Sequence, residues 1–561
     1  MPSKPTKRGV ATAPPAGGLS KWKAVLLLAA SLAVLFEIYS PALSGPFLLD
    51  DGFQLFGRPE AHRFHLEQWL NNVRPLLNLT YWLNFQLSGQ DTVSYHVVNV
   101  IFHWLNGILV FVILWRIDRR DWLLSALGAG IFLVHPIQTE SVAYISSRSE
   151  LVSVFFAYAA LAVFVTRPPG PIAWGRAAAV IAAFGCAVAS KEHTAVLPGV
   201  LLLIDMFAGP EAGLKTVREN WRLYAPLAVA AALGMAFVVR TLMSTATAGF
   251  GMKGLAWYEY AFTQCRMFWR YLRLLVLPVG LNADPDIPIS QSFADPFVVL
   301  GLVGIVALAG AAIYYRKRFP LAALGILIFL LFLAPTSSIV PIRDLFAERR
   351  VYLPFIGFLL VVMEALGRLG RRNALSLAAG VVLLFSIGTY ARAQVWASHL
   401  DLWSDTVEKS PNKVRPRFQL AFALYQAGRC VEANQEFSKA ASLGKPDALL
   451  LIDWALALDC VGQVDEAAAR LREAAKIDNS AIVLSTLGMI LGKAGRHDEA
   501  LAALDQAQKD NPRFAMIYVY RGNVLVALQR MEEAAAAFRE ALKLDPANQG
   551  ALQGLRVATG K

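Results

Sequence analysis

Two adjacent carboxylates, Asp50 and Asp51, follow the first long apolar stretch, in the run Pro46-Phe-Leu-Leu-Asp-Asp-Gly52. Charge at the edge of a bilayer is costly unless hydrated or paired, so two acids there point to a polar cavity at the membrane surface. Other ionisable residues recur at similar places. The same long loop reaches Arg74; a second polar stretch runs His135-Pro-Ile-Gln-Thr-Glu140 and on to Arg148. A third is Lys191-Glu-His193, and a last holds Glu348-Arg-Arg350 and Tyr352. Carboxylates so placed can move a proton, and arginine and lysine can clamp a phosphate. Asp50, Asp51 and Glu140 are the candidate acid–base groups. Arg148, Lys191, Arg349 and Arg350 are the candidate phosphate ligands, with Arg74, His135, Glu192, His193, Glu348 and Tyr352 in support. A plain solvated membrane edge would look similar. His135 and His193 lack ligand-spaced partners, so hydrogen bonding is expected of them rather than metal binding. Two carboxylates could hold a divalent cation, and the sequence leaves that open.

The elements that must position these groups are mostly apolar. The chain has 561 residues, 56% of them hydrophobic, and a mean hydropathy of +0.46, as a polytopic membrane protein does. The net charge is +12. The Lys and Arg lie mostly in short loops between spans, where membrane orientation places them, so nucleic acid is not expected as a partner. The four Cys show no CxxC spacing. Residues 1–20, rich in Pro, Ala, Gly and Lys, read as a disordered basic tail. Candidate spans are 22–43, 96–116, 122–135, 150–166, 174–190, 194–209, 222–240, 296–315, 320–338, 351–367 and 374–391, about eleven in all. The first is too long for a signal-peptide core and reads as an anchor that stays.

Loop charges then set the orientation. Lys4, Lys7, Arg8, Lys21 and Lys23 place the N-terminus in the cytoplasm. Arg116, Arg119 and Arg120, then Arg167 and Arg176, then Lys215, Arg218 and Arg222 agree. The stretch 262–278 is apolar enough to count as a span. If it crossed, two later basic loops would fall outside. Read as a surface or re-entrant helix, it leaves every loop consistent and puts the C-terminal part on the non-cytoplasmic side. Arg266, Arg270 and Arg273 then share one face of that helix. Arg266 and Arg270 become further candidates for a phosphate or for lipid headgroups, with ordinary snorkelling as the alternative.

From about residue 412 the pattern changes. Ala433, Ala467, Ala500 and Ala534 recur at steps of 34, 33 and 34, each followed four residues on by Phe437, Leu471, Leu504 or Phe538. Gly488 and Gly522 take a small position, and Pro512 and Pro546 close the last two units. This is the tetratricopeptide pattern, about four repeats, enough to bury a continuous core. It offers a groove for an extended peptide, or a rigid spacer. Cys430 and Cys460 fall on helices that pack across the first repeat boundary; an oxidising compartment would permit a bridge, and two free thiols are the alternative. The fold class expected is all-α: a tail 1–20, a transmembrane helical domain 21–392, a connecting helix 393–411 and an α-solenoid 412–561.

The chemistry that fits is glycosyl transfer from a lipid phosphate. The leaving group is anionic and needs cations; the acceptor is a weak nucleophile whose proton a carboxylate can take. No nucleophile elbow, P-loop or dinucleotide fingerprint supports another reaction. The chain resembles the transmembrane and tetratricopeptide-repeat protein O-mannosyltransferases, within the membrane glycosyltransferases of the GT-C fold. The resemblance rests on Leu49-Asp-Asp51, Arg74-Pro-Leu-Leu-Asn-Leu-Thr80, Tyr95-His-Val-Val-Asn99, His135-Pro-Ile-Gln-Thr-Glu-Ser-Val142 with Arg148-Ser-Glu-Leu151, Lys191-Glu192, and Ala347-Glu-Arg-Arg-Val-Tyr-Leu-Pro354 with Gly357.

The resemblance implies a polyprenyl-phosphate mannose donor, a protein Ser/Thr acceptor, a catalytic acid at Asp50 or Asp51, and a second acidic role at Glu140. Beyond that lipid-linked donor no cofactor is certain. Partners expected are the donor, an acceptor peptide in the repeat groove and membrane lipids. Alanine and arginine richness points to a bacterial inner membrane, with the repeats periplasmic. Two other readings stay open: the same fold acting on a glycolipid or cell-wall glycan, and a non-catalytic scaffold that recruits partners through its repeats.

Overall fold

The computed structural model describes residues 21–71, 73–119, 121–208, 212–231, 249–250 and 254–560. The 1–20 tail, Arg120 and the later part of the expected 222–240 span lie outside them. The chain forms two compact units: 1–239 with 305–336 and 349–393, and 240–304 with 337–348 and 394–561. These units are not contiguous in sequence. The stretches 240–304 and 337–348 group with the repeats rather than with the other apolar helices.

In the first unit the apolar stretches become helices. They are Lys21–Leu43, Thr92–Asp118, Trp122–Val134, Arg148–Val165, Trp174–Ser190, Leu197–Phe207, Pro320–Leu333, Phe355–Leu366 and most of Arg371–Val395; Pro75–Ser88 lies between the first two. Local chemistry sets their starts. Asp91 and Asp121 accept hydrogen bonds from the Val93 and Leu123 N–H groups as N-caps, and Pro75 and Pro320 open helices where a missing N–H costs nothing. Thr92–Asp118 packs on Trp122–Val134 and on Arg148–Val165, which packs in turn on Trp174–Ser190. Pro320–Leu333 and Phe355–Leu366 approach backbone to backbone. A Cβ at Gly357 would sit 2.5 Å from the Gly325 oxygen, the small-residue contact that lets apolar helices close.

Helix length and composition by themselves single out fewer helices than the eleven stretches expected to span. Among the described residues five helices are long and apolar enough to cross a membrane, and six if Trp122–Val134 and Pro136–Ala143, bent by 48°, count as one broken span. Trp174–Ser190, Leu197–Phe207, Pro320–Leu333 and Phe355–Leu366 have 17, 11, 14 and 12 residues, the first at the lower end of the roughly 17–25 of a spanning helix and the others below it. The 3-10 turn Glu192–Val196 separates Trp174–Ser190 from Leu197–Phe207, and further 3-10 turns lie at Pro136–Gln138 and Ile145–Ser147. Those turns carry or flank Glu140, Arg148 and Lys191. Irregular backbone is tolerated at such depth where protein encloses it.

In the second unit Trp257–Val276 is a 20-residue helix that is not among the helices apolar enough to span. Its Tyr271 hydroxyl donates to the Ala347 carbonyl (3.2 Å), and the Tyr271 ring stacks on Phe346. The repeats follow as four helix pairs, Val414–Gln426 with Cys430–Leu443, Ala448–Cys460 with Val464–Ile477, Ala481–Lys493 with His497–Asp510, and Ala515–Ala527 with Met531–Leu544. His399–Lys409 packs ahead of them and Gln549–Thr559 behind. The periodic alanines and their Phe or Leu partners are all fully buried. A disulfide joins Cys430 to Cys460, with Cα atoms 6.1 Å apart.

Candidate active site

The acidic pair lies on a 3-10 turn, Leu49–Phe53, that points its two carboxylates in different directions. Leu49 adopts φ of 52°, a left-handed conformation uncommon for a leucine. Asp51 turns inward. Its Oδ2 accepts the Leu48 N–H (3.0 Å), and its Oδ1 accepts the Ser146 N–H (2.8 Å) and hydroxyl (2.5 Å). Burial pushes the Asp51 carboxyl up to about 7, against the opposing pull of the Ser146 and Leu48 hydrogen bonds. Asp50 is exposed, and its carboxylate has no hydrogen-bond partner among the described residues. Its backbone N–H donates to the Tyr144 hydroxyl at 3.1 Å.

Tyr144 leads to the next pair. The Arg349 guanidinium lies 5.9 Å over the Tyr144 ring, a cation–π distance. It also pairs with Glu140, whose Oε2 accepts the Arg349 backbone N–H at 3.0 Å. Glu140, Tyr144 and Arg349 thus form one chain of contacts ending at Asp50.

A third group comes from the turn after Trp174–Ser190. Lys191 pairs with Glu150, and His193 Nε2 lies 3.1 Å from the other Glu150 oxygen. Burial holds the Lys191 amine below its ordinary value; the Glu150 charge opposes this, and the Arg74 and Arg349 charges add to it. Arg74, preceding the Pro75–Ser88 helix, makes a forked contact with Glu192: Nη2 to Oε2 at 2.9 Å and Nε to Oε1 at 3.1 Å. Burial alone would raise the Glu192 carboxyl, but Arg74 brings it below the usual carboxylate range. The Arg74 and Arg349 charges thus both reach Lys191.

Other candidates fall elsewhere. Arg148 lies apart from the solvent-facing groups and has its hydrogen bonds met within the protein. It is fully buried; its Nε donates to Asn99 Oδ1 (2.9 Å), its Nη2 to Asn84 Oδ1 (2.8 Å) and the Tyr95 carbonyl (3.0 Å), and its guanidinium lies 4.7 Å from the Tyr81 ring. These contacts pin the loop helices together. Arg350 is buried as well. Tyr352 is fully buried, its hydroxyl 2.7 Å from His103 Nδ1 and 3.0 Å from Asn106 Nδ2. His135 accepts the Ile137 N–H and packs edge-on against Phe385, a structural cap. Glu348, Arg266 and Arg270 belong to the second unit. There Glu348 accepts the Asn282 N–H (2.5 Å), Arg266 donates to Ser290 Oγ (2.8 Å), and Arg270 lies 4.9 Å from the Phe346 ring. Burial and the Arg273 charge lower the Arg270 guanidinium.

Sequence reasoning left out Tyr144 and Ser146, gave Glu150 no role of its own and ranked Arg74 only as support. Their signal was position: the first two lie in the short stretch between His135-Pro-Ile-Gln-Thr-Glu-Ser-Val142 and Arg148. Among the described residues no three His, Cys, Asp or Glu come together as a metal site. Asp50 and Asp51 do not converge on one cation either, since Asp51 spends both oxygens on Leu48 and Ser146.

A tetratricopeptide-repeat family model matches residues 485–549. The protein O-mannosyl-transferase F38B6.6 of Caenorhabditis elegans is 26% identical over 452 residues, covering 74% of this chain and 62% of that protein. The protein O-mannosyl-transferase TMTC3 of Mus musculus is 24% identical over 538 residues, 85% of this chain and 57% of that protein. Over most of its length the chain is similar to these TMTC-type proteins. It spans about six-tenths of the length of these relatives. Among solved structures, YrrB, described as a TPR protein with an unusual peptide-binding site, covers 32% of the chain at 21% identity with a TM-score of 0.25.

Proposed function

We propose that this chain is a membrane glycosyltransferase that moves a sugar, mannose by its likeness to proteins named O-mannosyl-transferases, from a polyprenyl-phosphate donor to Ser or Thr hydroxyls of proteins. The observation that carries this reading is the exposed carboxylate of Asp50, a residue whose backbone N–H donates to the Tyr144 hydroxyl, with Arg349 over the Tyr144 ring and the Arg349 and Arg74 charges reaching Lys191.

Asp50 takes the proton of the acceptor hydroxyl as its oxygen attacks the anomeric carbon. The bond to the donor phosphate breaks, and the phosphate leaves with the electron pair. Arg349, Lys191 and Arg74 stabilise that charge, in a site where oriented cations act more strongly than in bulk water. One displacement inverts the anomeric centre. Asp51 holds Asp50 in place rather than reacting. The loop charges argue for a non-cytoplasmic site, with the repeat groove holding the acceptor on the same side.

The test uses the purified full chain in lipid nanodiscs, a short polyprenyl-phosphate mannose and Ser/Thr-rich peptides, with products read by mass spectrometry. A hexose added to Ser or Thr, at a rate roughly 100-fold lower with Asp50→Asn, is expected. Transfer to lipid or glycan alone would assign the acceptor differently. No transfer to any acceptor, with partner proteins still captured by the repeats, would favour the scaffold.

A further inference from the structure

Each cation of the site already faces a carboxylate. Arg349 pairs with Glu140, Lys191 with Glu150, and Arg74 with Glu192. An incoming phosphate monoanion or dianion therefore meets a site whose positive charge is already matched, and at least one pair has to give way. The three pairs differ in what surrounds them. The Glu140 and Glu150 side chains are 2% and 4% exposed, whereas Arg74 and Glu192 are 37% and 41% exposed. Parting a buried pair strands a charge in low dielectric and is strongly unfavourable. Parting a half-exposed pair costs less, because water reaches both halves.

Geometry favours the same pair. Arg74 precedes Pro75, which opens a regular helix, and Glu192 opens the 3-10 turn 192–196, so the backbone on both sides is held. The helices Pro75–Ser88 and Trp174–Ser190 pack together beneath them. Only two side chains need to move. A guanidinium fork suits a phosphate as well as it suits a carboxylate, so Arg74 can exchange one for the other without a new geometry. Glu192 is also next in sequence to Lys191, whose amine feels the Arg74 charge, so the swap happens at the mouth of the cation cluster.

We propose that the Arg74–Glu192 pair is the latch of the donor-phosphate site: Glu192 holds Arg74 while the site is empty, and Arg74 leaves Glu192 for the donor phosphate on binding. Glu192 is thus a positioning residue that weakens donor binding. This rests on the reading of the cation cluster given above. It has a consequence that a purely structural ion pair lacks, since removing the carboxylate tightens binding instead of loosening it.

The experiment measures binding of a short polyprenyl phosphate to the full chain in nanodiscs, and donor KM and kcat alongside. Glu192→Gln keeps the shape and frees Arg74, so the Kd should fall about fivefold, near the 1 kcal/mol ceiling of an exposed pair. KM should fall with it while kcat stays level. Glu192→Asp, one methylene shorter, should lie between wild type and Gln and gives a second reading should the Gln variant fold poorly. Arg74→Ala should weaken binding, and adding Glu192→Gln to it should change nothing further. Unchanged or weaker binding in Glu192→Gln, with Arg74→Ala still weakened, would overturn the latch and leave the proposed function standing. Unchanged binding in Arg74→Ala, Lys191→Ala and Arg349→Ala alike would remove the phosphate site itself, and the latch with it.

Discussion

The two neighbouring acids should separate cleanly when each is changed, because the structure assigns them opposite work. Asp50 is exposed with no hydrogen-bond partner among the described residues, so Asp50→Asn should leave thermal stability within about 0.5 kcal/mol. It removes the base, and transfer should fall roughly 100-fold, about 2.7 kcal/mol in the barrier. Asp51 is the reverse. Its carboxylate accepts two backbone N–H groups, Leu48 and Ser146, and the Ser146 hydroxyl. Asp51→Ala leaves both N–H groups without a partner at about 1–3 kcal/mol each, so roughly 2–6 kcal/mol of stability should be lost. The assays are initial transfer rates and thermal unfolding of the detergent-solubilised chain at matched pH. An inactive Asp51→Asn of unchanged stability, beside a fully active Asp50→Asn, would refute the assignment and exchange their roles. Full activity of the double Asn variant would remove the pair from the chemistry.

Further outcomes follow from single contacts. The Asp51 carboxyl is raised from 3.8 to about 7 by burial; since the folded value is the higher one, its contribution to stability is complete below pH about 4 and lost as pH rises through 7. The melting temperature of wild type should fall across that window, and Asp51→Asn should flatten the slope. Arg148→Ala strands the Asn84 and Asn99 acceptors and two aromatic faces, so it should cost more than about 3 kcal/mol while the folded fraction keeps its donor KM; a raised KM at full stability would return Arg148 to the phosphate site. Gly357→Val presses a Cβ on the Gly325 oxygen at 2.5 Å and should destabilise by about 1–3 kcal/mol or more, read from the detergent-stability midpoint. Alkylation of the unreduced chain should label Cys186 and Cys265 but neither Cys430 nor Cys460. Replacing the latter two with Ser should cost about 3 kcal/mol in urea unfolding of the repeats.

Hydropathy located the apolar helices closely: 174–190 and 296–315 are helices over those same residues. Hydropathy does not register where a 3-10 turn breaks a helix, as at Glu192–Val196. The repeats were legible because small residues must recur where helices touch; a Cβ at Gly522 would meet the Phe538 ring at 2.5 Å. The site was legible only as a set of residue types. Arg148 and Arg349 look alike in sequence, each a cation beside a polar turn. What separates them is who reaches them across the fold: neutral amides and rings enclose Arg148, and a glutamate 209 residues away meets Arg349. No local pattern encodes a partner at that distance.

The same long-range pairing is what singles out Asp50. Glu140, Glu150 and Glu192 each neutralise a cation, and Asp51 is consumed by Ser146 and Leu48. A general base must offer a free lone pair to an incoming hydroxyl, and a carboxylate already matched to a guanidinium or bonded at both oxygens offers little. Of the five acids gathered in this region, only Asp50 is both exposed and without a hydrogen-bond partner among the described residues. Its backbone is fixed at one end by Asp51 next to it and at the other by the Tyr144 hydroxyl. That combination, a carboxylate open to solvent on a backbone tied to the ring beneath Arg349, places proton acceptance and leaving-group stabilisation on one short relay. If Tyr144 is that relay, Tyr144→Phe should keep the ring under Arg349 but release the Asp50 N–H, lowering kcat while donor KM holds.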